Sequence, residues 1–271
     1  MIIFPNAKIN LGLSVIRKRN DGFHDIESIF YPIGLCDVLE YIPVENIPEK
    51  ESVSYSGPFA VKDKDICLKL TEMLRDSFSF PALRMHIHKN IPAGAGLGGG
   101  SADAAFLLKS LNGFYSFGLN QEQLEAWAVR IGSDCPFFIK NNPCLVTGKG
   151  ENLQDIQLNL KGYYILLIYP GIHASTADAY KEIIPSLKSA DLQDMFRKPV
   201  DQWKYLIMND FENPVFRKYP LLAGIKKELY SMGAVYASMT GSGSAIYGLF
   251  RSEIIIPQQF SNYFIFREWL K

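Results

Sequence analysis

From Ile91 to Ser101 the chain reads Ile-Pro-Ala-Gly-Ala-Gly-Leu-Gly-Gly-Gly-Ser, with Gly94, Gly96, Gly98, Gly99 and Gly100 falling within seven residues. Glycine lets backbone N–H groups turn toward a ligand and lets that ligand approach closely. An Ala/Leu-rich helical stretch opens near Ser101 and would aim its unpaired N–H groups and its positive dipole end at the same space. Together these features predict an anion cradle suited to phosphates. A flexible surface loop is the plainer alternative. Gly94-x-Gly96-x-x-Gly99 formally matches a dinucleotide fingerprint. That fingerprint also needs a following strand with an acidic residue about 20 residues on, and here the turn-rich Gly113–Asn120 leads into another helix. A Walker A loop fails too, because Gly100 is followed by serine rather than lysine.

Three further sets of residues could do chemistry. Strand alternation puts Lys8 and Asn10 on one face, opposite Ala7, Ile9 and Leu11. There a lysine could meet a transferring phosphoryl group, or simply face solvent from an edge. Asp134 stands two residues before Pro136 in an otherwise apolar stretch, Gly132-Ser-Asp-Cys-Pro-Phe-Phe138. It reads either as an N-cap with proline in the first turn or as a carboxylate in a partly dry pocket. In the second case it could accept a hydroxyl proton with a cation such as Lys8 nearby. Phe23-His24 could bind a flat base through ring and imidazole, or be structural.

The elements that would position these residues are legible from periodicity. Ala7 to Leu13 alternates as a strand. Arg19-Asn-Asp-Gly22 signals a turn, and Phe23–Tyr31 returns as a second strand. Helices are expected over Ile66–Phe78, Ser101–Leu111, Gln121–Ile131 and Phe216–Met232, the last two ended by Gly132 and Gly233. Strands are expected over Leu83–Lys89, Tyr164–Tyr169, Val235–Thr240 and Ala245–Phe250. Without strict βαβ alternation the mixture points to an α+β fold. The expected division is an N-terminal domain over 1–152 and a C-terminal domain over 153–271.

Composition narrows the function. With 28 Lys plus Arg against 28 Asp plus Glu, formal net charge is zero, so no nucleic-acid partner is expected. The start of the chain lacks a basic segment followed by an apolar run, and Tyr163–Tyr169 is far short of a membrane span. No signal peptide and no membrane association are expected, and the expected location is cytoplasmic. Cys36, Cys67, Cys135 and Cys144 form no C-x-x-C pair, which predicts buried reduced thiols and no zinc.

Pro5-Asn-Ala-Lys-Ile-Asn-Leu11, Pro92–Ala102 and Met239-Thr-Gly-Ser-Gly-Ser-Ala245 stand in the order of the three motifs of the GHMP small-molecule kinases, which this chain resembles. Gly22-Phe-His24, Gly132–Phe138, Thr147-Gly-x-Gly150, Tyr169-Pro-Gly171 and Asn209-Asp-Phe-Glu212 look like the 4-diphosphocytidyl-2-C-methyl-D-erythritol kinases within them. The resemblance covers nearly the whole chain. It implies a two-domain α+β fold with the active site in a cleft between domains, and ATP-dependent phosphorylation of the 2-hydroxyl of the methylerythritol unit, a step of the non-mevalonate isoprenoid pathway.

Carried over residue by residue, the resemblance makes Asp134 the base. Lys8 stabilises the developing charge and keeps Asp134 ionised. Pro92, Ala93, Gly94, Ala95, Gly96, Leu97, Gly98, Gly99, Gly100, Ser101 and Ala102 form the ATP cradle. Asn10 contacts the methylerythritol unit. His24 hydrogen-bonds the cytosine, with Phe23 and Tyr180 on its faces. Lys89 and Thr176 meet cytosine or diphosphate, and Gly241 and Ser242 lie near the transferred phosphoryl group. Mg²⁺ is implied with ATP, held by phosphate oxygens and water, with no protein metal ligand assigned. Ala102 stands where a second serine is frequent, Thr240 replaces a serine, and Ser133 and Cys135 replace Ala and Val. A homoserine or phosphomevalonate kinase would have no use for Phe23, His24 and Tyr180, since neither substrate carries a base. A mevalonate diphosphate decarboxylase would need a carboxylate-bearing substrate. A catalytically silent nucleotide binder sits poorly with Lys8 and Asp134 both retained.

Overall fold

The computed structural model describes residues 1–44, 51–60, 66–185 and 192–271. The chain forms two compact units. One comprises Met1–Ala7, Leu35–Ala93 and Gly98–Asn142; the other comprises Lys8–Gly34, Gly94–Leu97 and Pro143–Lys271. The units are interleaved along the chain and do not follow the expected division at residue 152. A strand belongs with the partners that satisfy its backbone. Asn6–Lys18 pairs with His24–Cys36, which pairs with Cys144–Thr147 and, beyond it, Asn152–Asp155.

In the first unit, strands Ile2–Ile3, Val38–Val44, Ala82–His88 and Ser52–Ser56 lie in that order, with Ser52–Ser56 parallel to Ala82–His88 and the other pairs antiparallel. Period-two patterning sets the inner face: Leu39, Tyr41, Leu83, Met85 and Ile87 are buried, while His88 is exposed. Helices Ile66–Arg75, Gly99–Phe114, Gln121–Ile131 and Cys135–Lys140 complete this unit. The Tyr41 hydroxyl lies 2.7 Å from Ser110 Oγ, joining the sheet to helix Gly99–Phe114. Gln121–Ile131 starts on a capping box of Asn120 and Gln123. Gly132 follows it in extended rather than left-handed backbone, with φ −173°.

The second unit holds two antiparallel arrays. Tyr236–Met239, Ile246–Phe250, Tyr164–Tyr169 and Phe264–Trp269 form one, and the strands led by Asn6–Lys18 form the other. Tyr164–Tyr169 is central and buried at every position, which its unbroken Tyr-Ile-Leu-Leu-Ile-Tyr requires. Leu13, Val15 and Ile26 share a core with Leu166, Ile168, Phe211, Leu222 and Ile246. The helix expected over Phe216–Met232 is two helices, Glu212–Lys218 and Pro220–Ser231. Pro220 lacks an N–H and disfavours helical backbone at Tyr219, which adopts φ −129° and ψ 77°. Cys67, Cys135 and Cys144 are buried free thiols, and Cys36 is half-buried. Among the described residues no helix is long and apolar enough to cross a membrane.

Candidate active site

Lys8 and Asn10 share a face of strand Asn6–Lys18, but that face meets no solvent. They are 3% and 1% exposed, and the strand is buried on both sides from Ala7 to Val15. Lys8 Nζ donates to Asn10 Oδ1 at 2.5 Å and lies 4.2 Å from the centre of the Phe30 ring. A buried ammonium needs such partners, so Lys8 is aimed by its neighbours and is no solvent-facing edge residue. Asn10, expected against the acceptor, spends its side chain on this aim, since Nδ2 donates to Ser28 Oγ at 2.9 Å. Its backbone N–H donates to Thr240 Oγ1 at 3.0 Å, and its carbonyl accepts from the Tyr247 hydroxyl at 2.8 Å. Burial holds that hydroxyl well above its ordinary range, so it stays a donor.

The glycine stretch has the conformation only glycine adopts easily. Gly94, Gly96 and Gly98 have φ of +67°, +80° and +73°. A Cβ on Gly96 would stand 2.0 Å from the Thr240 carbonyl oxygen, and one on Gly94 2.4 Å from the His173 ring. Thr240 Oγ1 donates to the Gly96 carbonyl at 3.0 Å, and the Lys8 N–H donates to the Leu97 carbonyl at 3.0 Å. Residues 94–97 are thereby tied to the strand of Lys8 and to the Met239–Ala245 turn. Ala95 and Leu97 point inward, while Ala93, Gly94 and Gly100 are exposed. Helix Gly99–Phe114 begins on Gly98, which makes no side-chain cap. Its first-turn N–H groups and positive dipole end are what an anion would meet there.

Asp134 is half-buried at the N-cap position of helix Cys135–Lys140, with Pro136 in the first turn, but its side chain makes no capping hydrogen bond. Capping therefore does not account for the carboxylate. The adjacent Cys135 is buried, and burial pushes its thiol up to about 12, against the pull of a hydrogen bond from Ser101. A Cβ on Gly132 would stand 3.3 Å from Cys135 Sγ and 3.9 Å from Ser101 Oγ. Cys135 and Ser101 both border Gly132, which sets the Asp134 turn against the first turn of the cradle helix, within one unit.

The second unit brings His24 onto Tyr180, their rings stacked at 4.7 Å with an interplanar angle of 19°. Phe211 also meets Tyr180, the two rings at 88° with centres 4.8 Å apart. Burial, and secondarily the charge of Lys18, lowers the pKa of His24 and favours a neutral imidazole. Phe23 instead lies 60% exposed with the Lys149 ammonium 5.0 Å from its ring centre. Thr176 Oγ1 and Ser242 Oγ stand 2.7 Å apart, and Gly241 is buried at the head of that turn. Lys89, expected at cytosine or diphosphate, is 4% exposed and donates to Asp37 and Asp103.

Several positioning residues were given no role from the sequence. Asn209 Nδ2 donates to the carbonyls of Met239 and Gly241, both at 2.8 Å, and Glu212 accepts from the Met239 N–H at 2.9 Å. Asp210 accepts from the Val15 N–H at 2.8 Å. Asn209-Asp-Phe-Glu212 thus braces both the Met239–Ala245 turn and the strand of Lys8. The recognised motif was the available signal for it. Asp37 offered only a lone acid among apolar residues.

Comparison with known proteins agrees with this architecture. Residues 65–142 match the GHMP kinases N terminal domain and residues 190–258 the GHMP kinases C terminal domain. The chain is 44% identical over 275 residues to the 4-diphosphocytidyl-2-C-methyl-D-erythritol kinase of Bacteroides fragilis, covering 100% of both chains. It is 47% identical to that of Azobacteroides pseudotrichonymphae over 253 residues, 93% of this chain and 94% of the relative. A crystal structure of 4-(cytidine 5'-diphospho)-2C-methyl-D-erythritol kinase superposes with a TM-score of 0.77 at 29% identity, covering 92% of this chain and 90% of the other. Methanococcus jannaschii mevalonate kinase, at 14% identity and a TM-score of 0.67 over 100% of this chain and 98% of its own, shares the fold. The chain belongs to the GHMP kinases, and within them to the family of the 4-diphosphocytidyl-2-C-methyl-D-erythritol kinases.

Proposed function

We propose that this chain transfers the γ-phosphoryl group of ATP to the 2-hydroxyl of 4-diphosphocytidyl-2-C-methyl-D-erythritol, in the non-mevalonate route to isoprenoid precursors. The observation that carries the reading is the joining, in one unit, of a glycine-led helix N-terminus to the turn of Asp134 through Ser101 and Cys135. Phosphoryl transfer asks a protein mainly for positioning and charge neutralisation. Backbone N–H groups from Gly94 to Ser101 hold the phosphates. Lys8, already desolvated, offsets charge on the transferring group. Asp134, not consumed as a cap, takes the hydroxyl proton. His24 and Tyr180 hold the cytosine, with Thr176, Gly241 and Ser242 beside the diphosphate or the transferred group.

Mg²⁺ accompanies ATP in this reading and supplies charge neutralisation when bound. In this reading phosphate oxygens and water carry the ion, and no protein ligand is assigned. Both substrates are phosphorylated and do not cross membranes unaided, so the proposed place of work is the cytoplasm. The test is ADP release from Mg·ATP with a panel of hydroxyl acceptors. Turnover of the cytidyl-diphosphate acceptor is expected. Turnover of homoserine or phosphomevalonate in its place would overturn the proposal.

A further inference from the structure

Lys89, Asp37 and Asp103 form a buried charged cluster, at 4%, 0% and 3% exposure. Lys89 Nζ donates to Asp37 Oδ2 and, at 2.6 Å, to Asp103 Oδ2. Burial alone would depress the ammonium, but Asp103 and Asp37 outweigh it and hold its pKa above the ordinary lysine range. Two carboxyl groups thus share one cation. Such an arrangement is a poor source of stability, because desolvation offsets most of the attraction. Its value must therefore be sought in what it fixes.

The cluster fixes both sides of the glycine stretch. Before it, Asp37 Oδ1 accepts from the N–H groups of Asn90 at 2.6 Å and Ile91 at 2.8 Å. After it, Asp103 is the fifth residue of helix Gly99–Phe114, and a Cβ on Gly99 would meet Ile91 Cγ2 at 2.9 Å and Asp37 Oδ2 at 3.5 Å. One ammonium thus holds the entry and exit of residues 92–98. Strand register builds the arrangement: Val38 opposes His88, which sets Asp37 beside Lys89.

We propose that Asp37, Lys89 and Asp103 form a positioning clamp that presets the glycine stretch for the phosphates of ATP, and that Lys89 does not touch the acceptor. This rests on the ATP-cradle reading above. Presetting matters because donors already in place lose little freedom when the phosphates arrive.

The test compares Lys89→Met and Asp103→Asn with the parent enzyme. Lys89→Met leaves two buried carboxylates without their cation and can fail to fold. Asp103→Asn keeps shape and a hydrogen-bond acceptor and is the variant to rely on. Kd for ADP, KM for both substrates, and amide hydrogen exchange are measured. Expected are a rise of about tenfold in nucleotide Kd and KM, an acceptor KM held within about twofold, and faster exchange confined to residues 92–98. A raised acceptor KM with unchanged nucleotide Kd and unchanged exchange would overturn the clamp in favour of direct contact. Exchange raised evenly across the chain would overturn it in favour of general stability. Loosening of 92–98 with nucleotide affinity intact would overturn the ATP reading itself and the clamp's purpose with it. Exchange needs no substrate, so this outcome is distinct from a failure of the clamp, where 92–98 stays tight.

Discussion

At the residue scale, Asp134 and Lys8 differ in how they are held. Lys8 is enclosed by Asn10 and Phe30, whereas Asp134 stands half-buried at a helix start that it does not cap. Asp134→Asn should lower kcat by about 10²-fold or more and leave Tm nearly unchanged; a wild-type kcat would remove Asp134 from the chemistry. Tyr180→Ala should raise KM for the cytidyl acceptor by roughly 5- to 150-fold, the range given by about 1–3 kcal/mol of base stacking. KM for ATP should stay constant, and equal losses for both substrates would mark Tyr180 as packing against His24 and Phe211. Cys135 titrates at about 12 in the fold against an ordinary 9.0. The folded value is the higher, so its contribution to stability is complete below about 9 and is lost as pH rises toward about 12. Alkaline unfolding of the parent protein against Cys135→Val measures this, and the variant should lack that part of the decline. Native-state alkylation near neutral pH should spare Cys135 and favour the half-buried Cys36.

At the element scale, the glycine stretch contains positions of different kinds. Gly96 has positive φ, and its missing Cβ makes room for the Thr240 carbonyl. Gly96→Ala should therefore destabilise by roughly 2–4 kcal/mol and weaken nucleotide binding. Gly100 lies in the helix, exposed, with its nearest neighbour, Ile66 Cγ2, 3.8 Å from a would-be Cβ. Gly100→Ala should be neutral or stabilise by up to about 1 kcal/mol, so any loss of ATP affinity there reports the ligand's approach rather than the fold. Thermal unfolding and nucleotide titration of the two variants separate the effects. Equal stability of both would mean that the Thr240 carbonyl moves aside freely.

At the scale of the whole molecule, the two units interleave in sequence. Leu13, Val15 and Ile26 belong to a core whose other members begin at Tyr164. A fragment of residues 1–152 would expose them, and it should show no cooperative thermal transition by circular dichroism; a sharp melt would restore the contiguous division. Sequence by itself determined what local pattern encodes. The spacing of Leu124, Ala128 and Ile131 specified helix Gln121–Ile131, the unbroken apolar run specified strand Tyr164–Tyr169, and clustered glycines specified a turn of positive φ ahead of helix Gly99–Phe114. Each depends on neighbours a few residues away, where backbone sterics and periodicity act. Tertiary structure alone decided which faces are covered and which charges meet. Alternation put Lys8 and Asn10 on one face but could not say that this face is buried. Lys89 meets Asp37 and Asp103 across 52 and 14 residues, a buried ion-pair cluster. His24 met Tyr180 while Phe23, one residue away, went to Lys149. Burial and pairing of polar groups are set by strand register and packing among distant segments, and no local pattern carries that information.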